Sequence, residues 1–294
     1  MLTMNRKAQN ITSNSPIGLF DSGIGGMTIA HEIFRLLPNE KIIYIEDEKH
    51  CPYGEKTQDQ LKELCLNIGH WLEEQGVKLV VIACNTATAA SLELLQEKLS
   101  VPVIGVIEPG VQEALSTTKN NKIGVLATKA CVESNTYKNI LEASCSDVEV
   151  TQVAAQEFVY IVEHQLDDVL SKENSKYIEK AKKYTQSFID NDVDTVILGC
   201  THFPILYNII SKALPAHVNL VSPSLKTAEK VKAVLNENNL LNFNNKNPEQ
   251  TFKEYEIYST GKDLEPIKNY ISLAFKSSSP KFLIGGPYES DSCI

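Results

Sequence analysis

Two short apolar runs in this chain end in the same way. Leu79-Val-Val-Ile-Ala leads into Cys84-Asn-Thr86, and Thr195-Val-Ile-Leu-Gly leads into Cys200-Thr-His202. Each run is rich in β-branched residues and reads as a buried parallel strand. Open α/β sheets take their ligands at the carboxyl ends of strands. The chain therefore presents two thiols at strand tips, each beside hydroxyl and amide groups. The expectation is that both face one small polar ligand from opposite sides.

Around these runs the chain alternates strand and helix. Ile17-Gly-Leu-Phe20 is the first strand and runs into Asp21-Ser-Gly-Ile-Gly-Gly26. A helix follows from Met27 to about Leu37. The glycine loop lacks both GxGxxG and a P-loop Lys-Ser/Thr, so it is not a nucleotide loop of either kind. It allows close backbone approach to a ligand, and it serves equally as a tight turn with a capping Asp. Lys41–Ile45 is a second strand, followed by Pro52-Tyr53-Gly54 and an amphipathic helix over Thr57–Gln75. The helix over Asn85–Lys98 places Asn85 and Thr86 in its first turn. Val103–Ile107 reads as a strand ended by Glu108-Pro109-Gly110.

The pattern restarts at Lys122-Ile-Gly-Val-Leu126, with Ala127-Thr128 as the turn and a helix from about Glu133. Val148–Val153 is a strand, Glu157–Leu170 and Asn174–Asn191 are helical, and the strand to Cys200 follows. The two strand starts and the two cysteines are separated by similar stretches of chain. This spacing predicts two similar parallel-sheet α/β domains related by pseudo-two-fold symmetry, with the active site in the cleft between them. The helix after Pro223, the strand Tyr255–Ser259 and the helix Leu264–Phe275 are expected to return to the first unit. The expected boundaries are a disordered tail over 1–15, a discontinuous first domain of 16–112 plus 223–276, a second domain of 113–222, and a C-terminal tail over 277–294.

Bulk properties narrow the function. The net charge is −9 and no Lys/Arg-rich run stands out, which argues against a nucleic-acid partner. No segment approaches the roughly 18 apolar residues of a membrane helix. The polar N-terminus lacks an apolar signal core, so a cytoplasmic location is expected. Seven cysteines without a CxxC pair read as free thiols. Cys200 and His202 lack a companion ligand pair, so no metal is expected.

Two thiols on matching strand tips suit a general base and a general acid on opposite faces of one carbon, which inverts a stereocentre. Helix starts or polar turns after each cysteine favour partial thiolate character near neutral pH. Asp21 and His202 are the natural partners for tuning Cys84 and Cys200. Taken singly, either cysteine is as readily a core residue, and His202 alone is more often a satisfied polar group than a catalyst. The doubled context tips the reading toward chemistry.

These residues resemble the glutamate racemase family, within the aspartate/glutamate racemase superfamily. The motifs that carry the resemblance are Asp21-Ser-Gly-Ile-Gly-Gly26, Pro52-Tyr-Gly54, Ala83-Cys-Asn-Thr-Ala87, Gly199-Cys-Thr-His-Phe-Pro204 and Tyr258-Ser-Thr-Gly261. The resemblance spans roughly Ile17 to Phe275. It implies cofactor-independent, two-base interconversion of L- and D-glutamate, with D-glutamate used in peptidoglycan synthesis, and a homodimer. It further implies that Cys84 exchanges the proton of the D-enantiomer with help from Asp21. Cys200 would then exchange that of the L-enantiomer with help from His202. Substrate contacts would come from Asp21, Ser22, Tyr53, Gly54, Asn85, Thr86, Thr128, Thr201 and His202. Two departures stand out. Cys131 occupies a place where a substrate-contacting Thr is common, and Ala155-Gln-Glu-Phe158 replaces the usual Cys-Pro pattern. A carboxylate near the second thiol maps to Glu163, which reads more simply as a helix-surface charge. Alternatives are an aspartate racemase, a Cys200–His202 hydrolase in which Cys84 is dispensable, and a bilobed amino-acid-binding module.

Overall fold

The computed structural model describes residues 11–170, 175–244, 248–275 and 280–288. Its frame is two parallel sheets. The strands are β1 (Ile17–Asp21), β2 (Ile42–Glu46), β3 (Leu79–Ile82), β4 (Val103–Gly105), β5 (Lys122–Ala127), β6 (Glu149–Ala154), β7 (Thr195–Gly199), β8 (Asn219–Val221), β9 (Glu256–Ser259) and β10 (Lys281–Ile284). The first sheet has the order β10-β9-β2-β1-β3-β4 and the second β6-β5-β7-β8. The run β2-β1-β3-β4 repeats the order β6-β5-β7-β8, so the two halves share one plan. The two cysteine-bearing strands, β3 and β7, hold the same position in it.

Register aligns the strand tips. Phe20 pairs with both Ile45 and Ile82, which brings Asp21 level with Glu46 and sets the chain after β3 beside it. In the second sheet Ala127 pairs with both Ala154 and Gly199. Fully buried apolar side chains on β1, β3 and β7 explain the continuous hydrophobic runs, because helices cover both faces of a parallel sheet. The helix Gln58–Glu74 is one such cover. It opens on a Thr57/Gln60 capping box and buries Leu61, Cys65, Ile68 and Leu72, while Leu64 and Trp71 stay half-buried.

After β8 the chain returns. The helix Ser224–Glu237 packs on Met27–Leu36, and β9 pairs with β2. A buried ion pair pins this return at the amino end of the first sheet. Lys78 Nζ meets Glu40 and donates to the carbonyls of Ser13 (2.6 Å) and Leu240 (2.9 Å), while Glu40 accepts from the Asn242 N–H at 2.8 Å.

Some local expectations change. Glu108-Pro109-Gly110 does not end an element but lies in the first turn of a helix, Ile107–Thr117. Proline is tolerated there because first-turn N–H groups have no partner inside the helix. The helix expected from Glu133 is two, Lys129–Glu133 and Thr136–Ser144, hinged at Asn135 with φ +54°. Glu157–Leu170 breaks at Gln165. Within the expected C-terminal tail, Lys281–Ile284 forms β10, paired with β9 at the sheet edge. Residues 1–10 of the expected N-terminal tail, and Cys293, lie outside the described residues.

Candidate active site

The residues expected to do the chemistry and hold the substrate come to one cleft, at the facing carboxyl ends of the two sheets. The first unit contributes Asp21 and Ser22 from the tip of β1, Tyr53 and Gly54 from a turn after β2, and Cys84, Asn85 and Thr86 from the tip of β3. The second contributes Thr128 after β5 and Cys200, Thr201 and His202 after β7. The space between them is about 10 Å³, room for roughly one water molecule. Hydrogen bonds close the cleft from both sides. Thr201 Oγ1 donates to Asp21 Oδ2 at 2.7 Å, Thr86 and Thr128 share a 2.8 Å hydroxyl contact, and the Tyr137 hydroxyl donates to Asn85 Oδ1 at 2.6 Å. Farther out, the Tyr160 hydroxyl donates to Glu55 Oε1 at 2.6 Å.

Cys84 occupies the N-cap position of the helix Asn85–Lys98, with the Ala87 N–H near its sulfur. A helix start favours thiolate, but here it is outweighed. Burial and the Asp21 carboxylate beside it push the Cys84 thiol well above its usual range. The sequence-based expectation of partial thiolate near neutral pH therefore fails for Cys84 in this closed arrangement. It stands as a protonated acid. Asp21 is fully buried, and burial raises its carboxyl. The positive His202, the Thr201 hydroxyl and the Ser22 N–H (2.7 Å) work against that rise.

Cys200 has a different retinue. Its sulfur lies 3.5 Å from His202 Nδ1, and His202 Nε2 contacts Glu163 Oε1. Burial works against charge on this imidazole, but Glu163 and the Cys200 sulfur win and hold it well above the usual histidine value. Glu163 Oε1 also accepts from the Ile24 N–H at 3.2 Å, reaching from the second unit to the glycine loop of the first. The surface reading of Glu163 is thus wrong: its side chain is 12% exposed, and it is the third member of a Cys200–His202–Glu163 relay. Gly23 and Gly25 make this approach possible. A Cβ on Gly23 would sit 2.0 Å from Glu163 Oε1, and one on Gly25 2.7 Å from His202 Nδ1.

Cys131 does not line the cleft. It is buried in the core of the second unit, where burial pushes its thiol up to about 12, and its N–H is capped by Thr128 Oγ1 at 3.3 Å. Behind Tyr53, the buried Asp47 carboxylate accepts from the Tyr53 hydroxyl (2.6 Å) and Thr260 Oγ1 (2.8 Å) and meets His50 Nδ1 (2.9 Å). Asp47 is a support residue that sequence pattern alone did not single out. Gln156, at the tip of β6, also lines the cavity.

An acid thiol and a relay-backed thiol across one closed polar cavity suit proton transfer on two faces of a small substrate. Comparison with known proteins agrees with this architecture. Residues 28–230 match the family model for Asp/Glu/hydantoin racemases. A glutamate racemase of Corynebacterium diphtheriae is 43% identical over 241 residues, covering 82% of this chain and 89% of that protein. The crystal structure of a Bacillus anthracis glutamate racemase superposes with a TM-score of 0.83 at 34% identity, covering 92% of this chain and 97% of that one. A Francisella tularensis glutamate racemase crystallised with D-glutamate gives 0.82 at 34% identity, covering 94% and 99%. With its doubled sheet, paired thiols and these similarities, the chain belongs to the Asp/Glu/hydantoin racemase family and, within it, to the glutamate racemases.

Proposed function

We propose that this protein interconverts L- and D-glutamate by a two-base mechanism in which Cys200 and Cys84 work on opposite faces of the α-carbon. The observation that carries the reading is the unlike support of two matched thiols: Cys84 beside Asp21, and Cys200 beside the His202–Glu163 pair. In the L-to-D direction the Cys200 sulfur takes the α-proton, and the C–H electron pair stays on the substrate as an enediolate-like carbanion. The Cys84 thiol then gives its proton to the opposite face and is left as thiolate. The reverse direction exchanges the roles. Burial and Asp21 keep Cys84 protonated, as its acid role requires. The substrate ammonium, arriving beside Asp21 and Cys84, would ease formation of the thiolate in return.

The hydroxyls and amides of Ser22, Asn85, Thr86, Thr128 and Thr201, with Tyr53 and Gly54, would hold the two carboxylates and stabilise the developing charge. The proton balance closes between the two thiols, so the scheme needs no cofactor. We extend the reading to supply of D-glutamate for peptidoglycan, to a cytoplasmic setting and to a homodimer. These rest on family resemblance.

The test is loss of the α-proton signal of L- and of D-glutamate in D₂O, followed by proton NMR for the wild type, Cys84→Ser and Cys200→Ser. The wild type should exchange both enantiomers, and each variant should lose exchange or become one-sided. A fully active Cys84→Ser protein would instead favour hydrolysis at Cys200. No exchange by folded, reduced wild type would end the glutamate assignment.

A further inference from the structure

The side chain of Gln156 reaches the cavity from the tip of β6, yet among the described residues neither its Nε2 nor its Oε1 has a hydrogen-bond partner, although both atoms are buried. Its backbone is firmly held. The preceding Ala155 N–H donates to the Ala127 carbonyl at 2.8 Å, and the Gln156 carbonyl accepts from the Val159 N–H at 3.0 Å as the helix Glu157–His164 begins. The amide is therefore aimed by rigid elements, not by a mobile loop. It presses on the other unit: a Cβ on Gly54 would stand 2.2 Å from Gln156 Oε1 and 2.9 Å from Thr128 Cβ. Gln156, Gly54 and Thr128 thus form one end of the cleft.

A buried carboxamide without partners is costly, and the cost is recovered only by a ligand that can pair with it. A carboxamide offers two N–H donors and one acceptor. Once the cleft opens for an amino dicarboxylate, the group that can satisfy the donors at this end is a carboxylate. We propose that Gln156 is a substrate-binding and chain-length-selecting residue, its Nε2 donating to the side-chain carboxylate of glutamate. This rests on the glutamate reading above and names a contact within it. A substrate one methylene shorter, with its α-carbon held between the two thiols, would leave the amide unpaired.

Such a contact is present in the ground state and the transition state alike, so its loss raises KM more than it lowers kcat. The test compares wild type with Gln156→Met, similar in length but without the amide, and Gln156→Glu, similar in shape but acidic. Racemisation of glutamate and aspartate is followed by circular dichroism, and D-glutamate binding by calorimetry. A hydrogen bond to a charged group corresponds to about 10- to 100-fold in affinity. The Met variant should raise the KM and Kd for glutamate by about that factor, with kcat changed less than about threefold and a lower glutamate-to-aspartate preference. The Glu variant should be worse than Met, because two like charges meet. A purely structural role for Gln156 predicts near wild-type KM for both shape-preserving variants, and that result, or a lower KM for Met, overturns the proposal. If the wild type racemises glutamate while the Met variant keeps its KM, only the Gln156 contact is lost. If the wild type binds glutamate without racemising it, the mechanism above falls and the calorimetric comparison still decides Gln156. If the wild type neither binds nor racemises glutamate, both fall.

Discussion

Replacing Glu163 by Gln isolates the electrostatics of the Cys200 side. Both contacts of this carboxylate, to His202 Nε2 and to the Ile24 N–H, use the same oxygen, Oε1. A Gln Oε1 can accept both, so the substitution preserves shape and removes only charge. Hydrogen bonds to charged groups contribute about 1.5–3 kcal/mol and neutral ones about 0.5–1.5. The difference, about 1–1.5 kcal/mol, corresponds to about a tenfold loss of kcat/KM. It must be equal in both directions, because the two enantiomers have equal free energy.

The pH profile should change as well. Burial lowers the His202 pKa, and the Glu163 charge is the leading influence that raises it. In the wild type the imidazolium persists well above its ordinary pKa of about 6.5. Glu163→Gln removes the leading influence that raises the His202 pKa, so the alkaline limb of the rate profile should move down in pH. Stability follows the same sign. A histidine whose folded pKa is raised stabilises fully below about pH 6.5, and that contribution fades as pH rises through the folded value. The variant should therefore show its largest stability deficit on the acid side of neutrality. Rates by circular dichroism from pH 5 to 10, with parallel urea melts, measure both. An unchanged rate with an unchanged alkaline limb would refute the relay.

Other outcomes are equally specific. Cys84 is 5% exposed with its thiol pushed up, so iodoacetamide should label it slowly at pH 7 in the ligand-free protein and faster as pH rises, as read by peptide mass spectrometry. Gly25→Ala introduces a Cβ 2.6 Å from Thr201 Oγ1 and 2.7 Å from His202 Nδ1, so the cleft should close poorly. Its kcat/KM should fall by about 10-fold or more while its far-UV spectrum stays native. Lys78→Met strands the buried Glu40 carboxylate and should cost about 3–5 kcal/mol in chemical denaturation, far from the chemistry.

The doubled strand–cysteine pattern made the frame legible, because a parallel strand buried on both faces leaves a continuous apolar signature that survives without any partner in view. The site residues on strand tips were legible for the same reason: Cys84 and Cys200 directly follow runs whose fate is clear. Glu163 was not. It lies on a helix whose neighbours along the chain explain it as a surface charge, and its partner His202, on the far side of the strand β7, is brought to it only by the packing of the second unit. Nor could pattern foretell the Cys84 proton, since the helix start argues one way and burial beside Asp21 the other. β10 escaped notice as a four-residue edge strand with only half-buried side chains at its centre, and Pro109 reads as a break until its place in a first turn is known.

The closed cleft carries a consequence for timing. With room for roughly one water between the thiols, glutamate cannot enter or leave while Thr201 holds Asp21, Thr86 holds Thr128, Tyr137 holds Asn85 and Tyr160 holds Glu55. Every turnover has to part these contacts to load the site, remake them around the substrate, and part them again. Asp21, Thr86, Thr128, Asn85 and Thr201 of this latch are also the side chains proposed to hold the substrate, so the clock of the cycle and its chemistry share residues.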